Sequence, residues 1–152
     1  MKKMRRPACG SPAAFLILLM AAVASGTACS RAPGIDIYRA EARVSPVLLG
    51  VCSVFMKIEN HGDGDDTLLG ARADFPGTIT ELHDMKEGKM VKRDKISIPA
   101  KSVVDLRPGG VHIMVLKMPS DIKEGQEFNL FLTFEKSGEK RVAVTLLKAS
   151  RL

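Results

Sequence analysis

The chain has 152 residues, the length of one ordinary domain, and its composition limits the partners it could recognise. Aromatic residues make up only 5%, with no Trp and one Tyr, which disfavours a surface that stacks bases or sugars. The formal net charge is +6, but four of the basic residues lie among the first six positions. Without those four, 19 basic residues stand against 17 acidic ones, so the sequence predicts no nucleic-acid partner.

Residues 1–28 have the pattern of a secretory signal peptide. Basic residues within 2–6 precede an apolar run over 13–24 that is too short to span a bilayer comfortably. Small residues at 25–28 then lead to Cys29, in an arrangement that resembles the bacterial lipobox, where the cysteine is lipidated and becomes the new N-terminus. The sequence therefore predicts an exported protein of the periplasm or cell envelope that contacts the membrane only through a lipid anchor at Cys29.

Ordinary signal cleavage remains an alternative, because Gly26 stands where the lipobox pattern prefers Leu. Cleavage after Ala28 would release a soluble periplasmic protein. In either case we predict a short tether over 29–34, followed by one folded domain over 35–152.

The cysteines are informative because export implies an oxidising compartment. Cys9 is removed with the leader, and a lipidated Cys29 would leave Cys52 without a partner in the chain. Cys52 lies in an apolar run typical of a strand. We predict that it is a small buried hydrophobic residue and not a reactive or metal-binding thiol.

The mature chain consists of short β-rich runs separated by Gly, Pro and Asp clusters, without a sustained helical period. The predicted strands are 36–45, 50–59, 66–73, 77–85, 89–92, 94–98, 102–106, 112–118, 127–135 and 140–148. In the ninth run, apolar and polar residues alternate as in a half-buried strand. So many short strands predict an all-β fold, an antiparallel sandwich or barrel, and exclude an α/β enzyme fold.

Four of the five methionines in the mature chain cluster beside two of its three histidines. A tight turn at Glu87 and Gly88 would pair Met85 with Met90, because Gly tolerates the positive φ that such turns need. His83 precedes Met85 by two residues, and alternate side chains of a strand share a face. One imidazole and two thioethers are therefore predicted to converge on one side of this hairpin.

His112 and Met114 repeat the imidazole–thioether spacing after a turn-forming stretch, 107–111. If the two segments meet, four to five neutral nitrogen and sulfur donors surround one point. Such donors suit Cu(I), since thioether sulfur is soft and adds no charge, whereas Mg²⁺ and Ca²⁺ require oxygen ligands. Methionine also suits an exported site, because it cannot form a disulfide.

The competing interpretation is that these methionines fill the core. A strand face formed by His112, Met114, Leu116 and Met118 could point inward, and the protein would then be an envelope module without metal.

No catalytic motif is present in the sequence: it has no nucleophile elbow, phosphate-binding loop or zinc-protease motif. The acidic loop over 60–66 lacks the length and terminal Glu of a calcium loop, so we predict a solvated turn there. We therefore expect that the protein is not an enzyme.

Five segments of the mature chain match one known family: 55–60, 81–83, 98–100, 106–114 and 134–136. They resemble the periplasmic copper chaperones of the PCu(A)C type, whose metal pattern is His, ten residues, Met, twenty-one residues and His-x-Met. Met90, His112 and Met114 fit this pattern, but only six residues separate His83 from Met90. The hairpin is thus four residues short, which leaves open whether Met85 or Met90 is the better-placed donor.

The resemblance implies a cupredoxin-like β-sandwich that binds Cu(I) through His83, Met90, His112 and Met114, with Met85 as an auxiliary donor. It also implies delivery of copper by ligand exchange to an acceptor protein, either the CuA domain of cytochrome oxidase or a thioredoxin-like copper-handling protein. We expect a monomer. Copper storage or detoxification at the same site, without delivery, remains a further alternative.

Overall fold

The computed structural model describes residues 31–147, so the predicted signal peptide, Cys29 and the last five residues lie outside the described part of the chain. That part contains ten strands and no helix that could cross a membrane. The strands are β1 (Ile35–Val44), β2 (Val51–Asn60), β3 (Asp66–Ala73), β4 (Ile79–Lys86), β5 (Lys89–Arg93), β6 (Ile96–Ile98), β7 (Ser102–Leu106), β8 (His112–Leu116), β9 (Glu127–Phe134) and β10 (Gly138–Leu147). The ten predicted strands and the all-β fold class are confirmed.

The strand ends differ from the prediction by a few residues, most clearly at β8. This strand ends at Leu116 because Lys117 adopts a φ of 57°, in the left-handed region that interrupts an extended chain. The reversal carries Met118 into the hydrophobic core.

The strands form one hydrogen-bonded sheet that folds around a single core in the order β5-β4-β8-β2-β1-β10-β9-β3-β6. β7 and β8 both pair with β2, β7 along Met56–Asn60 and β8 along Val51–Val54. All pairs are antiparallel except one: β1, the first strand, lies parallel to β10, the last. Two parallel strands need a long connection between them, and here the chain from β2 to β9 forms that connection.

The core follows from the period-2 alternation of each strand. In β9, Phe128, Leu130, Leu132 and Phe134 are all buried. Cys52 belongs to the same core, and burial raises the pKa of its thiol to about 12. The prediction of a buried thiol is confirmed, and Cys52 is a free cysteine.

Asn60, at the end of β2, is fully buried and organises the loop to β3. Its carbonyl oxygen accepts hydrogen bonds from the backbone N–H groups of Gly34 (3.0 Å) and Gly62 (3.1 Å). Its amide nitrogen donates to the carbonyl oxygens of Gly64 (2.8 Å) and Ile98 (3.2 Å). The predicted turn between β2 and β3 is confirmed, and one side chain ties it to the point where the chain enters β1.

Candidate metal centre

The β4–β5 hairpin has the register that its sequence predicts. Glu87 and Gly88 form the turn, with φ values of 51° and 75°, and Met85 pairs with Met90 across it. Two positive φ values in succession are typical of a type I′ turn, whose twist matches that of the flanking strands. His83 lies two residues before Met85, and the three side chains therefore share one face of the hairpin.

β8 lies beside β4 and brings the second predicted segment to this face. His83 pairs directly with His112, and Glu81 pairs with Met114. The centroids of the two imidazole rings are 6.0 Å apart, with the ring planes inclined by 53°. The two histidine–methionine segments therefore meet, with the imidazole pair between Met114 on one side and the Met85–Met90 pair on the other.

The shared face is turned away from the hydrophobic core. Ile113 and Val115, which alternate with His112 and Met114, belong to the core cluster, as does Leu82 of β4. Residues 112–118 do not form one continuous face, because Lys117 reverses the alternation before Met118. His112 and Met114 are buried but lie outside the core cluster, whereas Met118 belongs to it.

The donor side chains range from buried to exposed. His112 and Met114 retain only 4% and 7% of their accessible surface, and the ring of Phe55 lies 6.1 Å from that of His112. The His83 side chain is 13% exposed, whereas Met90 is 50% exposed. Solvent therefore reaches this face along β5 but hardly at all along β8.

His112 has a hydrogen bond that fixes its tautomer. Its Nδ1 lies 2.8 Å from the carbonyl oxygen of Gly110. Because a carbonyl oxygen only accepts, Nδ1 carries the proton and Nε2 keeps a free lone pair. The Gly110 carbonyl is positioned by the turn after β7, in which the Gly110 N–H donates to the carbonyl of Arg107 (3.1 Å).

His83 is bonded through its other nitrogen. Its Nε2 lies 3.0 Å from a carboxylate oxygen of Glu81, while its Nδ1 is buried without a hydrogen-bond partner. In residues 31–147, this is the one buried side-chain polar atom that lacks a partner. A buried polar atom without a partner costs free energy, and this lone pair is therefore available to a ligand.

Glu81 and Lys92 belong to this face and were not predicted from the sequence. Lys92 pairs with His83 across the hairpin, and its Nζ lies 2.7 Å from the second carboxylate oxygen of Glu81. Two contacts hold the pKa of Glu81 below its usual range: the hydrogen bond from Lys92 has the larger effect, and the contact with His83 has the smaller one. The spacing Glu81-x-His83 was the available sequence signal, but the position of Lys92 follows only from the hairpin register.

The donor set suits a soft metal ion. Among the described residues, no group of three or more His, Cys, Asp and Glu side chains could hold a metal ion. On this face, methionine side chains flank the two imidazoles, and their thioethers are soft and uncharged. The third histidine, His61, lies in the β2–β3 loop, where its Nδ1 is 3.3 Å from a carboxylate oxygen of Asp36.

The domain has the cupredoxin-like fold of PCuAC domains. The chain is similar to the copper-bound PCuAC domain from PmoF2, with a TM-score of 0.63 and 26% identity over 78% of this chain and 97% of that domain. The apo PCuAC domain from PmoF1 gives a TM-score of 0.66 at 23% identity, over 76% of this chain and 94% of that one. CuI-DR1885 from Deinococcus radiodurans gives 0.63 at 20% identity, over 82% and 85%. The predicted resemblance is confirmed.

The chain belongs to the LpqE-like family. The family model described as "Putative lipoprotein LpqE-like" matches residues 35–146. One relative, "Putative lipoprotein Lxx21020" of Leifsonia xyli subsp. xyli (strain CTCB07), is 30% identical over 100 residues, which cover 62% of this chain. The matched region spans 60% of the length of that relative.

Proposed function

We propose that the protein is an exported copper chaperone that binds one Cu(I) ion on the β4–β5–β8 face and passes it to an acceptor protein. The observation that carries this proposal is the direct pairing of His83 with His112, flanked on the same face by Met114 and by the Met85–Met90 pair. We assign His83, Met90, His112 and Met114 as ligands, with Met85 as an auxiliary donor.

Two observations support copper in particular. The imidazole nitrogens left free, Nδ1 of His83 and Nε2 of His112, are neutral donors, as are the thioethers. This combination favours Cu(I) over hard divalent ions, because it offers softness without negative charge. The similar PCuAC domain from PmoF2 is copper-bound, and that likeness extends over nearly the whole of that domain.

The difference in exposure among the donors supports release by ligand exchange. Met114 and His112 are buried, whereas Met90 is half exposed at the open side of the face. An acceptor could displace Met90 first and engage the ion while the buried donors still hold it. A thioether adds no charge to the ion, so thiolate or additional imidazole donors of an acceptor would compete effectively. We propose a CuA domain of cytochrome oxidase or a thioredoxin-like copper-handling protein as the acceptor.

We also propose that the protein is anchored in the cell envelope through a lipid on Cys29. The membership of a lipoprotein-type family and the relative from Leifsonia xyli support this location. Mass spectrometry of the protein extracted from membranes tests it, because diacylglyceryl modification adds a defined mass at the new N-terminus. Recovery of a protein that begins after Ala28 without modification would instead establish ordinary cleavage.

Competition with a chromophoric Cu(I) chelator under anaerobic conditions tests the binding site. We expect one Cu(I) per wild-type chain and at least tenfold weaker binding when Met90 and Met114 are both replaced by Leu, which preserves size and apolarity. The matched control is Met118→Leu, because Met118 lies in the core. Equal affinities in all three proteins would refute a thioether site.

Delivery needs a separate experiment. Copper-loaded protein is mixed with an apo CuA domain, and the CuA spectrum is followed after oxidation. Transfer of copper supports the chaperone function. Retention of copper at equilibrium would refute delivery while leaving the binding site intact, and would favour storage or detoxification.

A further inference from the structure

We propose that Glu81 is a positioning residue that fixes the tautomer of His83, so that His83 presents Nδ1 to the metal while His112 presents Nε2. This inference rests on the proposed copper site. It adds which nitrogen of each imidazole acts as the donor and which side chain decides it.

The first step is the geometry of His83. Its Nε2 lies 3.0 Å from Oε2 of Glu81, and an ionised carboxylate can only accept a hydrogen bond. The neutral imidazole must therefore carry its proton on Nε2, which leaves the lone pair on Nδ1. That atom is buried and accepts no hydrogen bond within residues 31–147, so its lone pair is free.

The second step is the support of Glu81 itself. Its Oε1 accepts a hydrogen bond from Nζ of Lys92 at 2.7 Å, so the two carboxylate oxygens have separate partners. Glu81 lies on β4 two residues before His83, and Lys92 lies on β5 directly opposite His83. Two strands thus hold the carboxylate in a fixed position beside His83.

The third step is the contrast with His112. Its Nδ1 donates to the carbonyl oxygen of Gly110 at 2.8 Å, which fixes the opposite tautomer and frees Nε2. The two histidines pair across adjacent strands, yet their hydrogen bonds differ. His83 binds a carboxylate through Nε2, whereas His112 binds a backbone carbonyl through Nδ1. A histidine that ligates a metal commonly donates its other N–H to a carboxylate or carbonyl, and each ring here has one of these partners.

Long-range ¹H–¹⁵N NMR of the full mature protein, without copper and at pH 8, tests the tautomers directly. We expect a proton on Nε2 of His83 and on Nδ1 of His112. On addition of Cu(I), the ¹⁵N shift of His83 should change most at Nδ1 and that of His112 at Nε2. A proton on Nδ1 of apo His83, or coordination of His83 through Nε2, would overturn the inference. If the apo tautomers are as expected but Cu(I) does not bind, the proposed function fails and the positioning by Glu81 stands.

Substitutions test the causal role of Glu81. Glu81→Ala should give a mixture of His83 tautomers and weaken Cu(I) binding about 10- to 100-fold. Glu81→Gln keeps only one oxygen, and the Lys92 ammonium competes for it, so the amide N–H₂ group would face Nε2 of His83. This variant should move the His83 proton toward Nδ1 and weaken Cu(I) binding as well. The matched control is Glu139→Ala, which removes a carboxylate that pairs with Arg72 at 3.7 Å on a different part of the sheet. An unchanged tautomer and affinity in Glu81→Ala would refute the role.

Discussion

Asp66 offers a quantitative test of how the loops at one end of the sandwich are held. Its side chain is buried, and its carboxylate accepts hydrogen bonds from the backbone N–H groups of Thr67 (2.8 Å), Lys136 (2.9 Å) and Ser137 (3.0 Å). These bonds join the start of β3 to the turn between β9 and β10. The perturbation is Asp66→Asn, which keeps the shape of the side chain and removes its charge.

The structure gives the magnitude. Oδ1 accepts two of the three bonds and Oδ2 accepts the bond from Ser137. An Asn with its oxygen in the Oδ1 position weakens two bonds to neutral strength and places an N–H₂ group against the Ser137 N–H. The difference between a charged and a neutral bond is about 1 kcal/mol, and an unsatisfied buried group costs about 1–3 kcal/mol. We therefore expect a loss of about 3–5 kcal/mol in the free energy of unfolding at pH 7.

The pH dependence gives a second, independent readout. Burial raises the pKa of Asp66, but the hydrogen bonds from Ser137, Lys136 and Thr67 together hold it below its usual value. Since the folded pKa lies below the unfolded one, the stabilisation is complete above about pH 4 and decreases as pH falls through the folded pKa. The difference between wild type and Asp66→Asn should therefore shrink below pH 4.

Equilibrium urea unfolding of both proteins from pH 7 to pH 2.5 measures these quantities. Asp63→Asn is the control, because Asp63 is exposed in the neighbouring loop, where it pairs with Lys101 at 3.0 Å. We expect that variant to remain within about 0.5 kcal/mol of wild type. A loss below 1 kcal/mol for Asp66→Asn at pH 7, or a loss that is the same at pH 3, would refute the assignment.

Three further predictions concern the core and the metal-binding face. The Cys52 thiol, with a pKa of about 12, should resist alkylation at pH 8 in the folded protein and react only after denaturation, as followed by mass spectrometry. Met114→Ala should lower the free energy of unfolding by about 2–4 kcal/mol and Met90→Ala by less than about 0.5 kcal/mol, since Met114 is buried and Met90 is half exposed. Gly88→Ala should lower the free energy of unfolding, measured in urea, by about 1–2 kcal/mol, because the φ of Gly88 is 75°. Rapid alkylation of native Cys52, equal stabilities of Met114→Ala and Met90→Ala, or equal stabilities of Gly88→Ala and wild type would contradict these expectations.

Local patterns were sufficient to predict the strands and one half of the site. The pairing of Met85 with Met90 follows from a two-residue turn, and the shared face of His83 follows from the period of a strand. Both features depend on residues close together in the chain. The sequence could not show that His83 pairs with His112, because this pairing joins strands separated by 25 residues.

The remaining features depend on long-range register, which a local pattern does not encode. Nothing near β1 or β10 indicates that they pair in parallel. The contact of Lys92 with Glu81 likewise depends on how β4 and β5 are aligned. Met118 seemed to continue the face of Met114, and the positive φ of Lys117 separates the two.

The connection at Asn60 has a mechanical consequence for the domain. Asn60 binds the Gly34 N–H, and β1 then runs between β2 and β10 with hydrogen bonds on both sides. Tension applied to the chain before Gly34 would act along β1 and load these hydrogen bonds in shear, so that many must break together. In a protein held by its N-terminal segment, β1 would stay in place. The folded domain could then reorient as a unit, and its β4–β5 hairpin could reach different positions around the point of attachment.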